Sequence, residues 1–374
     1  MKFSIDRSAL LTALQHVHSV VERRNTIPIL SNVLIEAKED GVYLTATDMD
    51  IAVIEKINLE KSEVMQLGTI TTSAQMLYDI VRKLPENIKV ELLSEKSDRL
   101  GIKASSSSFA LNCLSSEDFP SISQEEFKFT FSLEADDLIR LIDKTSFAMS
   151  LEETRYYLNG IYLHAVKGVE GEKLRTVSTD GHRLSRVDMN IPEGANEIPG
   201  VIVPRKTIME IRKLLEDHSD IINLSLSDNK IKLSFSNVIL TSKLLDGTFP
   251  DYSRVIPEQN DKTVTISNQL LSEAVDRVST VSTDKTRAIK VNISKGNLVI
   301  SATNPDKGSA SESLDVIYDG EEVEIGFNSK YVLDVARQIK GNEIIIKLSD
   351  SVSPTLVYDK DDKGVLFVLM PMRV

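Results

Sequence analysis

Apolar positions along the chain follow two rhythms, one of period two and one near 3.6, and both recur in the same order three times. Each round opens with an extended stretch that leads into an amphipathic helix. These are 2–5 then 8–21, 129–133 then 135–147, and 264–266 then 268–281. In the second helix Leu138, Leu141, Ile142 and Thr145 keep the i, i+3, i+4, i+7 spacing of one buried face. A strand pair ending in a polar turn comes next, over 33–50, 160–183 and 289–305. The turns read Ala46-Thr47-Asp48-Met49, Ser178-Thr179-Asp180-Gly181 and Ala302-Thr303-Asn304-Pro305. A strand and second helix follow: 70–72 then 73–84, 201–203 then 204–215, and 325–327 then 328–339. Ser73 and Asn328 suit an N-cap, and Pro204 suits a first turn. An alternating meander closes each round at 89–114, 222–245 and 343–368, ending on Phe119-Pro120, Phe249-Pro250 and Met370-Pro371.

The pattern predicts an α+β protein built from three copies of one domain, with boundaries at 1–124, 125–252 and 253–374. Short connections make the strands mostly antiparallel. Alternation such as Ile231-Lys232-Leu233-Ser234-Phe235 buries one sheet face, which the two helices of each copy cover.

Composition narrows the chemistry. With 374 residues, 41% hydrophobic and 27% charged, the chain is an ordinary globular one. No apolar run reaches the ~18 residues of a membrane helix. Asp6 and Arg7 interrupt the start, which does not fit a signal peptide. A single cysteine, Cys113, excludes an internal disulfide and a thiolate zinc cluster, and suits a reducing cytoplasm. The net charge of −12 argues against a surface coated in nucleic acid, though basic residues gathered on one face remain compatible with it. No phosphate loop, dinucleotide fingerprint, HExxH or GxSxG motif occurs. His16 and His18 sit two apart on a helix and point apart. No catalytic residue, metal site or cofactor is read. The one enzymatic alternative is a hydrolase using the Asp180/His182 loop; a scaffold that never meets DNA is the other.

The whole length resembles the bacterial DNA polymerase III beta subunit, the beta sliding clamp family. The resemblance rests on Arg155-Tyr156-Tyr157-Leu158-Asn159-Gly160, Thr179-Asp180-Gly181-His182-Arg183-Leu184, Phe249-Pro250-Asp251-Tyr252 and Met370-Pro371-Met372-Arg373-Val374. Ile27-Pro28-Ile29-Leu30 and Val203-Pro204-Arg205-Lys206 also match. It implies the DNA-clamp fold, closed into a ring by a head-to-tail homodimer. It also implies a non-catalytic processivity role on double-stranded DNA. Its partners are the DNA polymerase III catalytic subunit, the clamp loader and other proteins with a short clamp-binding motif. Twelve helices spaced about 10 Å apart line a ring about 38 Å across between axes, leaving about 27 Å for a duplex. Such contacts are loose and directed to phosphates.

Helix residues read as phosphate-facing are Arg82, Lys83, Arg140, Lys144, Arg212, Lys213, Arg277, Arg337 and Lys340. Acidic runs at 36–40, 319–324 and 359–362 fall in turns and edges. The resemblance assigns DNA contacts to Arg24, Tyr156, Tyr157 and Arg205, and tyrosines of this kind can stack on exposed bases. It departs at Gln75, where the family pattern has arginine, and Glu152, where it has glutamine. It maps a peptide cleft onto three stretches and their neighbours. The first holds Arg155, Leu158, Thr179, Gly181, His182, Arg183 and Leu184. The second holds Pro250, Arg254, Val255, Asn328 and Tyr331, and the third Val352, Val368, Met370, Pro371, Met372 and Arg373. An apolar floor with methionines suits varied linear motifs. Thr286 and Pro354 stand where the pattern has phenylalanine and serine. The resemblance points to a dimer edge at Phe109 and Leu111 against Thr280 and Val281.

Overall fold

The computed structural model describes residues 1–21, 26–94, 98–122, 126–168, 171–216, 218–283 and 286–373. The first repeat runs β1 (Lys2–Asp6), α1 (Arg7–Val17), β2 (Asn32–Lys38), β3 (Gly41–Thr47), β4 (Ile51–Ile57) and β5 (Val64–Gln66). It ends with β6 (Gly68–Ser73), α2 (Ala74–Lys83), β7 (Lys89–Leu93), β8 (Arg99–Ala104) and β9 (Ser107–Leu114). The second runs β10 (Phe129–Glu134), α3 (Ala135–Ser146), β11 (Gly160–Gly168), β12 (Gly171–Thr179) and β13 (Arg183–Asn190). Its second half is β14 (Val201–Pro204), α4 (Arg205–Leu214), β15 (Ile221–Leu226), β16 (Lys230–Phe235) and β17 (Val238–Lys243). The third runs β18 (Lys262–Ser267), α5 (Asn268–Ser279), β19 (Ala288–Ser294), β20 (Asn297–Asn304) and β21 (Gly308–Asp315). It closes with β22 (Val323–Asn328), α6 (Ser329–Ala336), β23 (Glu343–Leu348), β24 (Thr355–Asp359) and β25 (Val365–Leu369).

Caps set the helix starts. Ser73 Oγ accepts from the Met76 N–H at 3.3 Å, Ser267 Oγ from Leu270 at 3.4 Å, and Asn328 Oδ1 from Lys330 at 3.0 Å. The helices end earlier than their apolar spacing suggests. After α1 the chain turns at Ser19, whose hydroxyl takes the His16 carbonyl, and α6 tightens where Gln338 N–H reaches Val335 O. Buried residues on α1 are Leu10, Ala13, Leu14 and Val17, one face of the helix.

The chain folds as two compact units, residues 1–136, 192–195 and 209–244, and residues 137–191, 196–208 and 245–374. The first holds a 13-stranded sheet in the order β10-β15-β16-β17-β4-β3-β2-β6-β9-β8-β7-β1-β5. The second holds an eight-stranded sheet, β14-β11-β12-β13-β25-β24-β23-β18, and a four-stranded one, β21-β20-β19-β22. In both larger sheets strands of one repeat continue into the next. β17 pairs with β4, and β25 with β13.

These two joints share one register. Following the pairings inward from the first strand of each repeat makes Phe109, Leu240 and Phe367 equivalent. The turn residues Thr47 and Thr179 make Val53 and Ser185 equivalent. Leu240 lies opposite Val53 and Phe367 opposite Ser185. Among the described residues the same two edges stay open on β21 and on β9 up to Asn112, beyond which Cys113 and Leu114 pair with β6; the residues of both strands are mostly exposed. Phe109 is 37% exposed, whereas Leu240 and Phe367 are 0%.

Two cations read as phosphate-facing are turned inward. Lys144 is buried, and its ammonium donates to the Gln338 carbonyl; burial lowers its affinity for a proton. Arg140 is held by Asp362, 2.6 Å from Nη2. Both lie on α3 beside its apolar stripe, and the second repeat packs that flank on residues of the third.

Candidate functional site

The Thr-Asp turns are built alike. Thr179 Oγ1 donates to the Arg183 carbonyl at 2.7 Å and accepts the Gly181 N–H at 3.0 Å. Thr47 does the same with Ile51 O and Met49 N–H, at 2.9 and 3.0 Å. Asp180 Oδ1 accepts the His182 and Arg183 N–H groups, as Asp48 Oδ1 accepts those of Asp50 and Ile51. The last residue of these two turns has positive φ, 88° at Gly181 and 81° at Met49. Asp180 is thus committed to the turn rather than to the His182 ring, which stacks on Tyr331 with centroids 6.2 Å apart. This leaves no acid/base pair for hydrolysis.

Arg183 does not rim the cleft. It is buried, with Nη1 2.6 Å from Asp334 Oδ2, Nε 3.1 Å from Asp180 Oδ2, and Nη2 donating to the Phe147 carbonyl at 2.6 Å. Its plane lies over Phe147 and Tyr331, at 5.1 and 4.6 Å. Its role is to bind the turn to α6. Arg155 lies above, its Nε donating to Glu152 at 2.7 Å.

A buried apolar cluster, the floor expected for the cleft, lies beside this turn. Leu158, Val177, Leu184, Ile202, Phe249, Leu356, Leu366 and Val368 form one cluster, with Tyr157, Tyr252 and Tyr358 packed against it. The end of the chain borders it as a docked strand: Met370 N–H donates to His182 O and Met372 N–H to Gly326 O, both at 2.9 Å. Met370, Pro371, Met372 and Arg373 retain accessible surface, and the last three with Val352 line a groove of about 510 Å³. Val374 lies outside the described residues. His182, Pro250, Arg254, Val255 and Val352 are exposed; Thr179, Asn328, Tyr331 and Pro354 are half-buried. Thr286 is exposed, bonded to Thr283. The structure therefore brings one apolar floor together with a His/Tyr lip and a docked tail.

Beyond the floor the same sheet face carries a polar network that the sequence reading missed. Arg175 grips Asp188 with two bonds, 2.6 and 2.8 Å, and donates to the Tyr252 hydroxyl at 3.1 Å. That hydroxyl lies 3.1 Å from His164 Nε2. Burial, and then the Arg175 guanidinium, hold the His164 imidazole down to about 4. Between pH 6.5 and 4 the unfolded chain takes a proton that the folded chain refuses. Stability is therefore full above about 6.5 and falls as pH drops toward 4, by roughly 3 kcal/mol from this group. Urea unfolding at pH 7 and pH 4.5 should show that slope, and His164→Gln should flatten it by about that amount.

Comparison with known proteins decides the family. Residues 1–123, 132–251 and 253–373 match the models for the N-terminal, central and C-terminal domains of the DNA polymerase III beta subunit. The chain belongs to the DNA polymerase III beta subunit family. The beta sliding clamp of Caulobacter vibrioides is 49% identical over 375 residues, with 100% of each chain covered. That of Pseudomonas aeruginosa is 40% identical over 374 residues, again with 100% of each covered. Among solved structures, a sliding clamp from Bartonella birtlesii bound to griselimycin aligns with TM-score 0.97 at 48% identity, covering 100% of each chain. The Caulobacter crescentus clamp with a polyethylene glycol bound to its putative beta-motif tethering region aligns at 0.96 and 49%, also over 100% of each.

Within this beta subunit fold the remaining residues fall as follows. Arg24 lies outside the described residues. Tyr156 is exposed, while Tyr157 packs on the floor cluster with its ring edge-on to Tyr156 at 5.8 Å. Arg205 opens α4, half-buried, its N–H donating to Asn159 O at 2.9 Å. Gln75 donates to Asp79 at 2.9 Å, four residues on along α2. Arg277 is bound to Glu312 at 2.6 Å, so its charge is already met. Arg82, Lys83, Lys213, Arg337 and Lys340 are exposed. Leu111 is half-buried on β9; Thr280 and Val281 follow α5, exposed and half-buried.

Proposed function

We propose that two copies of the chain join head to tail into a closed ring that encircles duplex DNA and tethers the replicative polymerase. The chain acts as a non-catalytic processivity subunit. The observation that carries this reading is the repeated joint. Each repeat presents one edge of the β9, β17, β25 class and one of the β4, β13, β21 class. Two pairs are used within the chain, and one complementary pair, β9 and β21, is left. A second copy satisfies both, and a heterologous contact that closes gives a ring. Membership in the beta subunit family supports the rest of the reading.

The edges set the detail. In this reading Phe109 faces Ala310 of the second copy, as Leu240 faces Val53 within the chain, with Leu111 on the same strand. Exposed cations on α2, α4 and α6 offer loose phosphate contacts, together with Arg24, Tyr156, Tyr157 and Arg205. The groove of Leu158, Leu184, Val368, Met370 and Met372 takes short linear motifs of the polymerase, the clamp loader and other DNA-processing proteins. The setting is the cytoplasm; among the described residues no helix is long and apolar enough to cross a membrane.

A topological assay tests this. Loaded onto a nicked DNA circle, the protein should stay bound through a high-salt gel filtration and leave when the circle is cut. Retention that survives linearisation would mean binding without encirclement.

A further inference from the structure

The sheet face proposed as the groove floor carries a cation with spare donors one row beyond it. On β13, Leu184, Arg186 and Asp188 point to the same face. Leu184 lies opposite Val368 and Arg186 opposite Leu366 and Val177. Two residues of strand separate the rows by about 6.8 Å. Arg186 is therefore flanked by Leu366 and Val177 and stands next to the anchors Leu184 and Val368.

Its guanidinium is poorly matched by the protein. Nε is buried and has no hydrogen-bond partner. The nearest carboxylate, Asp188, is 3.9 Å away and is gripped on both oxygens by Arg175. The groups around it are Arg175, Asp188, Tyr252 and Tyr358. Two guanidiniums thus share one carboxylate, and His164 stays neutral above about pH 4. A half-buried cation with no carboxylate of its own is unfavourable until an anion arrives. The side chain is 26% exposed, so a ligand can reach it. A planar fork of donors suits a carboxylate.

We propose that Arg186 is a specificity residue of the groove, receiving the carboxylate of an acidic side chain in the peptide seated over Leu184 and Val368. In an extended peptide, side chains two residues apart project to the same side about 6.8 Å apart. The acidic residue therefore lies two positions from the apolar anchor. This inference rests on the groove reading above, and the experiment separates the two.

Calorimetry would use acetylated, amidated peptides containing Gln and Leu, with Glu replacing Gln at one position at a time. Blocked ends remove any contribution from a terminal carboxylate. One position should bind the unaltered protein about 5–20 times more tightly as Glu than as Gln. Arg186→Gln should abolish that gain, and Arg186→Lys should keep part of it. The all-Gln peptide should bind the unaltered protein and Arg186→Gln alike, which also shows that the variant is folded. Deleting 370–374 should abolish all-Gln binding; if it does not, the groove reading itself is wrong. If the all-Gln peptide behaves as expected but no position gains, or the gain persists in Arg186→Gln, the assignment to Arg186 is overturned.

Discussion

Phe109→Glu will run as a monomer in sedimentation at micromolar concentration, where the unaltered protein runs as a dimer. Phe109 occupies the position that Leu240 and Phe367 fill at the two joints inside the chain. Those two are wholly buried where the joint is made, and Phe109 is not. Joining two copies buries it, and a carboxylate at that point must lose its water without a partner. Losing a buried Phe contact costs about 2–3 kcal/mol before that desolvation is counted. A closed dimer contains the joint twice, so the effect on dimerisation doubles and weakens it at least about a thousandfold. Thermal unfolding of the monomeric variant should change little, because Phe109 is partly exposed before association. A variant that remains dimeric would place the interface elsewhere.

Arg183→Ala should lower stability by about 3–5 kcal/mol in urea unfolding, the cost of breaking a buried ion pair from one side. The change takes the buried cation from Asp334 Oδ2 and Asp180 Oδ2, both carboxylates being largely buried, and empties the space between Phe147 and Tyr331. Arg183→Lys should recover little, since one ammonium cannot meet two carboxylates and a carbonyl at those angles. Arg337→Ala is the matched control. Arg337 also touches Asp334, at 3.3 Å, but is 71% exposed, so its loss should cost less than about 1 kcal/mol. Equal effects from the two changes would show that Arg183 is not a buried tie between the turn and α6.

The repeat was legible because the apolar period changes from two to 3.6 at the same places in each copy. α2, α4 and α6 lie within their expected segments, and the Thr-Asp turns follow the strand pairs β2–β3 and β11–β12 that they were expected to end. What local pattern could not show is which flank of an element the next repeat covers. Lys144 sits three residues after Leu141, at the edge of the α3 stripe, and only packing against the third repeat turns it inward. His182 and Arg183 are adjacent basic residues in one turn. Strand β13 begins at Arg183, so one side chain points out and the next goes in. The cleft reading reached Leu184 but not Arg186, although both share a face by the period of the strand. A charge in an apolar row was the available signal. The common register of the joints required the pairings themselves, since the strands that meet lie far apart along the chain.

The joints also differ in how they carry mechanical load. Inside the chain each is a ladder of five paired residues, and the polypeptide also crosses from one side to the other. Pulling such a joint open breaks hydrogen bonds but leaves a tether that holds the edges close. The seam proposed between copies, over β9 and β21, has no such tether. One of its strands, β21, reads Gly308-Ser309-Ala310-Ser311-Glu312-Ser313, a row of small side chains with little apolar area to peel apart. Force applied anywhere on an assembled pair will therefore part it at β9 and β21 first, and the edges that separate will be intact strands ready to pair again.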